Sequence, residues 1–158
     1  MPRKRRRKYK TGFYKSKKTD KRMAYRSSYE LRMMKCLDLD DCVESYEYEE
    51  TVIKHVRNRV LTDDQIRAAG DKKFRSYTPD FIITFNDGRK IMIEVKSEVM
   101  LHSSSTQRKK VLGEVYCSMH NMEYHIWTLH NIIPYEMKLN IDMPDHEYWL
   151  DWKESQHE

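Results

Sequence analysis

Tyr77-Thr78-Pro79-Asp80-Phe81-Ile82-Ile83-Thr84-Phe85-Asn86-Asp87-Gly88-Arg89-Lys90-Ile91-Met92-Ile93-Glu94-Val95-Lys96 is the stretch whose reading decides the fold. Two runs of branched and aromatic residues flank Asn86-Asp87-Gly88, and Asp-Gly between such runs is hairpin chemistry because the glycine takes positive φ without steric cost. The sequence therefore predicts two antiparallel strands, 81–85 and 90–96. With a three-residue turn at 86–88, Asp80 falls directly across from Glu94; with a two-residue turn it falls opposite Val95 and still neighbours both Glu94 and Lys96. Side chains alternate with period two, so Glu94 and Lys96 share one face while Ile91, Ile93 and Val95 take the other.

Upstream, Ser27 and Glu30 have capping-box spacing, and Leu31, Met34 and Leu37 then recur on one helical face, which predicts a helix over 28–39. The segment 43–53 carries Tyr46, Tyr48, Thr51 and Val52 and reads as a strand. Residues 54–76 are polar and basic and read as an insertion; inside it Thr62 and Gln65 repeat the capping spacing, and Gly70 can end a short helix. Downstream of the hairpin, a second helix is expected over 106–120 from the recurrence of Val111, Val115 and Met119, followed by a strand over 124–129. Beyond that strand, Pro134 and Pro144 are expected to break regular structure, leaving 138–158 as a tail containing Trp149 and Trp152.

A chain of 158 residues has the size of one domain. Its net charge of +5 hides an asymmetry: residues 1–26 hold 13 Lys/Arg and one acid, leaving 17 basic and 24 acidic side chains, net −7, for the remainder. The amino-terminal stretch, with Tyr9, Phe13, Tyr14 and Tyr25 interleaved, lacks an apolar period and is expected to be a flexible arm suited to phosphates and exposed bases. No apolar run is long enough to cross a bilayer, so no membrane partner is expected. Three cysteines without close pairing fit an intracellular, reducing compartment, cytoplasmic or virion-associated, and the basic start lacks the apolar core of a secretory signal. Cys117, His120, His125 and His130 do not match zinc-ligand spacings.

Two carboxylates facing each other repel unless a proton or cation intervenes. Hard oxygen ligands with few protein donors suit Mg²⁺, with Mn²⁺ able to replace it, and Lys96 beside them can orient a water or offset charge developing on a phosphate. The same three residues also fit a solvated strand face, and Glu30 also fits a simple helix cap.

Pro79-Asp80 followed by Glu94-Val95-Lys96 resembles the signature of the PD-(D/E)XK nuclease superfamily. The order helix, strand, hairpin, helix, strand resembles its αβββαβ core, an α/β fold with a central mixed sheet flanked by helices. Tyr25-Arg26-Ser27-Ser28-Tyr29-Glu30-Leu31 is similar to the first helix of transposon-end endonucleases of the TnsA N-terminal type, of phage endonuclease I type Holliday-junction resolvases and of phage head-completion nucleases. That resemblance implies a metal-dependent DNA endonuclease of phage or mobile-element type, with 27–137 as the nuclease domain. Glu30, Asp80, Glu94 and Lys96 would be catalytic, and Asp80, Glu94 and the Val95 carbonyl would hold the metal. DNA contacts are expected from Arg3, Lys4, Arg5, Arg6, Arg7, Lys8, Lys10, Lys15, Lys17, Lys18 and Arg26 of the arm and from Gln107, Lys109 and Lys110 of the second helix. The absence of an obvious groove-reading helix points to structure- or partner-directed cutting, by a homodimer or with a protein partner in a phage or transposition assembly. The alternative class is a structural DNA-end-binding or head-completion protein that retains the nuclease fold.

Overall fold

The computed structural model describes residues 11–70 and 73–139. Its centre is a four-stranded sheet in the order β3 (Val43–Tyr48), β7 (Phe81–Phe85), β8 (Lys90–Val95), β9 (Glu123–Trp127). The first three strands run antiparallel to one another in turn, and β9 lies parallel to β8, so the sheet is mixed. The β7–β8 hairpin pairs Phe81 with Ile93 and Thr84 with Lys90, the register expected for a three-residue turn. Gly88 sits at φ 87°, the left-handed conformation that only glycine adopts freely.

Alternation along β7 and β8 divides the core in two. Phe81, Ile83, Ile93 and Val95 face α1 (Ser28–Leu39) and α4 (Leu129–Lys138), packing on Met33, Met34, Leu37 and Ile132. Ile82 and Met92 face the other way, toward Leu112 and Cys117 of α3 (Ser104–Met119). Each such side chain buried contributes roughly 1.5–3 kcal/mol. Gly113 lets α3 lie close on β9, since a Cβ there would fall 2.2 Å from the Tyr124 ring. The order α1, β3, β7, β8, α3, β9 is the expected αβββαβ core, consistent with a restriction-endonuclease-like fold.

Four expectations are corrected. The stretch 43–53 is not one strand: β3 ends at Tyr48, and β4 (Ile53–Val56) belongs to a separate three-stranded sheet with β5 (Arg59–Val60) and β6 (Arg75–Tyr77), in the order β5-β4-β6. The insertion is thus a small sheet of its own, with α2 (Asp63–Ala68) capped by Thr62 and Gln65 as expected and Gly70 at φ 60° just beyond it. Half of the expected arm is structured, because β1 (Gly12–Lys15) and β2 (Arg22–Tyr25) pair as a hairpin. Asp38, near the end of α1, holds that hairpin: its carboxylate accepts from the Tyr14 hydroxyl at 2.5 Å, the Ser16 hydroxyl at 2.6 Å and the Lys17 amide at 3.2 Å. Met23 of β2 is buried in the core. Residues 1–10 lie outside the described residues.

Pro134, expected to break the chain, sits inside α4. Proline there removes one helical hydrogen bond, but Ile132, Ile133 and Glu136 are buried on the inner face and Thr128 with Asn131 closes a capping box at the start. Packing prevails over local preference. Glu136 receives the Arg32 guanidinium, with Arg32 Nε 3.1 and 3.0 Å from its two carboxylate oxygens, so a buried ion pair ties α1 to α4. The expected tail starts at 138, the last residue of α4, and 140–158 lie outside the described residues.

Removing one partner of such a pair strands the other. Glu136→Ala is expected to lower the unfolding free energy by about 3–5 kcal/mol in urea melts, whereas Arg32→Met with Glu136→Leu recovers most of the loss. Equal losses in the single and double variants would show that packing, not charge compensation, holds α4.

Candidate active site

The end of β3, the start of β7 and the end of β8 lie at one end of the central sheet, and the first turn of α1 meets them there. The main chain of Asp80 joins them. Its carbonyl accepts from the Glu49 amide at 2.9 Å, its amide donates to Glu94 Oε2 at 3.3 Å, and its Oδ2 accepts from the Val95 amide at 2.8 Å. Asp80 and Glu94 therefore meet as the hairpin register requires, and Val95 takes part through its amide.

Glu30 reaches the same place from α1. Ser27 Oγ accepts from the Glu30 amide at 3.3 Å, as a helix cap should. The Glu30 carboxylate does not close the reciprocal half of a capping box; its Oε2 instead accepts from the Arg26 amide and the Tyr48 hydroxyl, both at 2.7 Å. Glu30, Glu49 and Asp80 each bring one carboxylate oxygen within 4.8 Å of the others. Glu49 is a candidate site residue that sequence reasoning missed. It sits at φ 50°, a conformation that costs a non-glycine residue on the order of 1 kcal/mol or more and that clusters at functional sites. The sequence offered no signal for it, because 43–53 reads as one strand with Glu49 in its middle, and without the β3–β7 pairing nothing set it beside Asp80.

These groups strain one another electrostatically. Burial, then the charge of Glu94, pushes the Asp80 carboxyl up to about 8 from its ordinary value near 3.8. Burial also raises Glu49, against the pull of Arg26, whose guanidinium stands 3.3 Å from Glu49 Oε2. Tyr48 and Tyr77 are held protonated by burial and by their carboxylate neighbours.

Glu94 lies outside the group of three and is gripped from both sides. Oε2 accepts from the Tyr77 hydroxyl at 2.8 Å; Oε1 has the ammonium groups of Lys96 and Lys109 each at 3.5 Å. Tyr77 is itself 3.1 Å from the Tyr124 hydroxyl, so β6 and β9 brace the carboxylate together. Lys96 follows β8 as expected, and Lys109 arrives from α3 beside it.

The other expected DNA-contacting residues scatter. Lys18 is used internally, its ammonium held by the carbonyls of Asp40, just past α1, and of Val43, the first residue of β3, and Gln107 donates to the Leu101 carbonyl at 3.2 Å. Lys15, Lys17, Arg26 and Lys110 are exposed, Arg26 in its pair with Glu49. Arg3, Lys4, Arg5, Arg6, Arg7, Lys8 and Lys10 lie outside the described residues. Cys117 is buried 3.9 Å from the Met92 sulfur, while His125 and His130 pair with Glu123 and Glu98.

A family model described as the TnsA-like endonuclease N terminal matches residues 40–129, well over half of the chain. The match includes Glu49, Asp80, Glu94, Lys96 and Lys109 and begins after Glu30. No curated protein sequence gives a significant match. The chain belongs to the TnsA-like endonuclease N-terminal family, a nuclease family of the PD-(D/E)XK type. Among the described residues no helix is long and apolar enough to cross a membrane.

A carboxyl whose value is raised by folding stabilises the fold while it keeps its proton, and that stabilisation fades as pH rises from about 4 to about 8. Asp80→Asn keeps an oxygen to accept from Val95 and removes the charge. In chelator its melting temperature is expected to exceed that of the wild type by about 3 °C or more at pH 8, with the gap narrowing toward pH 5. A pH-independent gap would mean that Asp80 is not the strained group.

Proposed function

We propose that this chain is a DNA endonuclease that hydrolyses phosphodiester bonds with the aid of a divalent cation, Mg²⁺ or Mn²⁺, in a phage or mobile-element setting. The observation that carries this reading is the convergence of Asp80, Glu94 and Lys96 with Glu30 and Glu49 at one end of the sheet in a member of a nuclease family. The donor set fits such a cation: the oxygens are hard, and burial together with the charge of Glu94 disfavours the ionised Asp80 carboxylate, a penalty that a cation offsets. Asp80, Glu30 and Glu49 would hold it, with Glu94 and the Val95 carbonyl on the neighbouring strand. When bound it would lower the pKa of a water and polarise the phosphate.

The chain's own residues account for the rest. Lys96, beside Oε1 of Glu94, is placed to orient the attacking water and to donate a hydrogen bond to the oxyanion that develops at phosphorus. Lys109 adds a second positive charge within reach of the same phosphate. Tyr77 and the Asp80 amide fix the Glu94 carboxylate, so the acid does not have to reorganise as charge shifts. Water adds at phosphorus and the 3′ oxygen leaves, giving 5′-phosphate and 3′-hydroxyl ends. Cutting both strands of a duplex takes two such sites, which a homodimer or a protein partner would supply.

Supercoiled plasmid, a branched junction and single-stranded RNA, each with Mg²⁺, Mn²⁺ or chelator, test the reading. DNA is expected to be cut only with metal, and Glu94→Ala and Lys96→Ala are expected to lose at least about 100-fold in single-turnover rate while still binding DNA. No cutting of any substrate, with DNA still bound, would favour a structural DNA-end-binding protein. Tyr77→Phe, which leaves Glu94 Oε2 with only the longer bond from the Asp80 amide, is expected to lose about 10-fold in rate with little change in affinity.

A further inference from the structure

Charge is segregated along the chain in a way the active site does not use. Residues 53–77 carry seven Lys/Arg and three acids, net +4, whereas residues 27–52 and 78–139 together carry nine Lys/Arg and 15 acids, net −6. The +4 segment is the three-stranded sheet β5-β4-β6 with α2.

The two faces of that sheet differ. Ile53, Val60 and Tyr77 turn inward and pack with Ile82, Met92 and Leu112. Lys54, Arg57 and Arg59 are exposed, and so are Lys73 and Arg75 beside them on the β6 side. Register places Lys54 opposite Ser76 and Val56 opposite Arg59, so no acid faces them across a strand. None of these five cations has an ion-pair partner among the described residues, although Lys21, Arg26, Arg32, Arg67, Arg89, Lys96 and Lys109 all do. Within the segment, Asp64 is already engaged by Arg67 on α2. A basic surface without charge partners among the described residues complements a polyanion.

Its position says which one. Tyr77, the last residue of β6, donates to Glu94, and only Thr78 and Pro79 separate it from Asp80. Arg75 is five residues from Asp80, so its main chain lies at most about 18 Å away. Along B-form DNA, at about 3.4 Å per base pair, that corresponds to about five base pairs or fewer. We propose that the β4–β5 hairpin and β6 form a basic wing that grips the phosphate backbone of duplex DNA on one side of the scissile bond, with its Arg75 edge within about five base pairs of it. This rests on the nuclease reading for the location of the cut, but not for the affinity of the wing.

The full-length protein with Lys54→Ser, Arg57→Ser and Arg59→Ser together is to be compared with the wild type and with Arg57→Lys plus Arg59→Lys. Binding to a 40-base-pair duplex is read by fluorescence anisotropy in chelator from 50 to 300 mM salt, with melting temperature as the control for folding. The triple serine variant is expected to lose at least about 10-fold in affinity and to lower the slope of log affinity against log salt by about 2–3, while the lysine variant keeps both. Phosphate-ethylation interference is expected to fall on one side of the cut. Unchanged affinity and slope in a variant that melts like the wild type overturn the proposal, and so does preferential loss of single-stranded RNA binding. Failure of the nuclease reading is separate: a wild type that cuts nothing but shows the wing-dependent slope leaves the wing standing.

Discussion

Asp80 cannot withdraw from its acidic neighbours, because the hydrogen bonds that place it are the ones that hold the sheet's end together. Its carbonyl belongs to the β3 side, its amide and carboxylate to the β8 side, and each side brings a glutamate with it. Glu49 enters through the first and Glu94 through the second, while Glu30 is set from α1 by the Arg26 amide and the Tyr48 hydroxyl. Repulsion among these groups is therefore built into the backbone; burial, then the charge of Glu94, raises the Asp80 carboxyl well above its ordinary value.

The surrounding fold is arranged to tolerate that repulsion. Two apolar clusters on opposite faces of the central sheet supply the stabilisation, one beneath α1 and α4, the other beneath α3 and the small sheet. Polar cross-links then fix the acids: Tyr77 braced by Tyr124 holds Glu94, Gly113 allows α3 close enough to bring Lys109 beside it, and Arg32 with Glu136 locks α1, and hence Glu30, against α4. Long-range charge follows the same logic, with carboxylates concentrated at the sheet's end and uncompensated cations placed on peripheral strands. A polyanion approaching the acidic centre would meet those cations beside it.

By itself the sequence determined the β7–β8 hairpin, the facing of Asp80 and Glu94, the placement of Lys96 and the extent of α1. These depend on local rules: turn chemistry, period-two alternation and a serine cap act over a few residues, so they can be read along the chain. It also carried the αβββαβ order, because each element is announced by its own periodicity. What the tertiary structure decided is everything that hangs on pairing between distant segments. Glu49 joins the site only because β3 pairs with β7; Lys109 acts on Glu94 because α3 packs close to β9; residues 12–25 are a hairpin because Asp38 of α1 collects their hydrogen bonds; and Pro134 remains helical because α4 is buried on one side and tied by Arg32. Such contacts join residues as far apart as 24 positions for Tyr14 with Asp38 and 104 for Arg32 with Glu136. Their free energy comes from burial and from charge compensation between segments, and the local pattern of residues shows which face is buried but not which distant segment covers it.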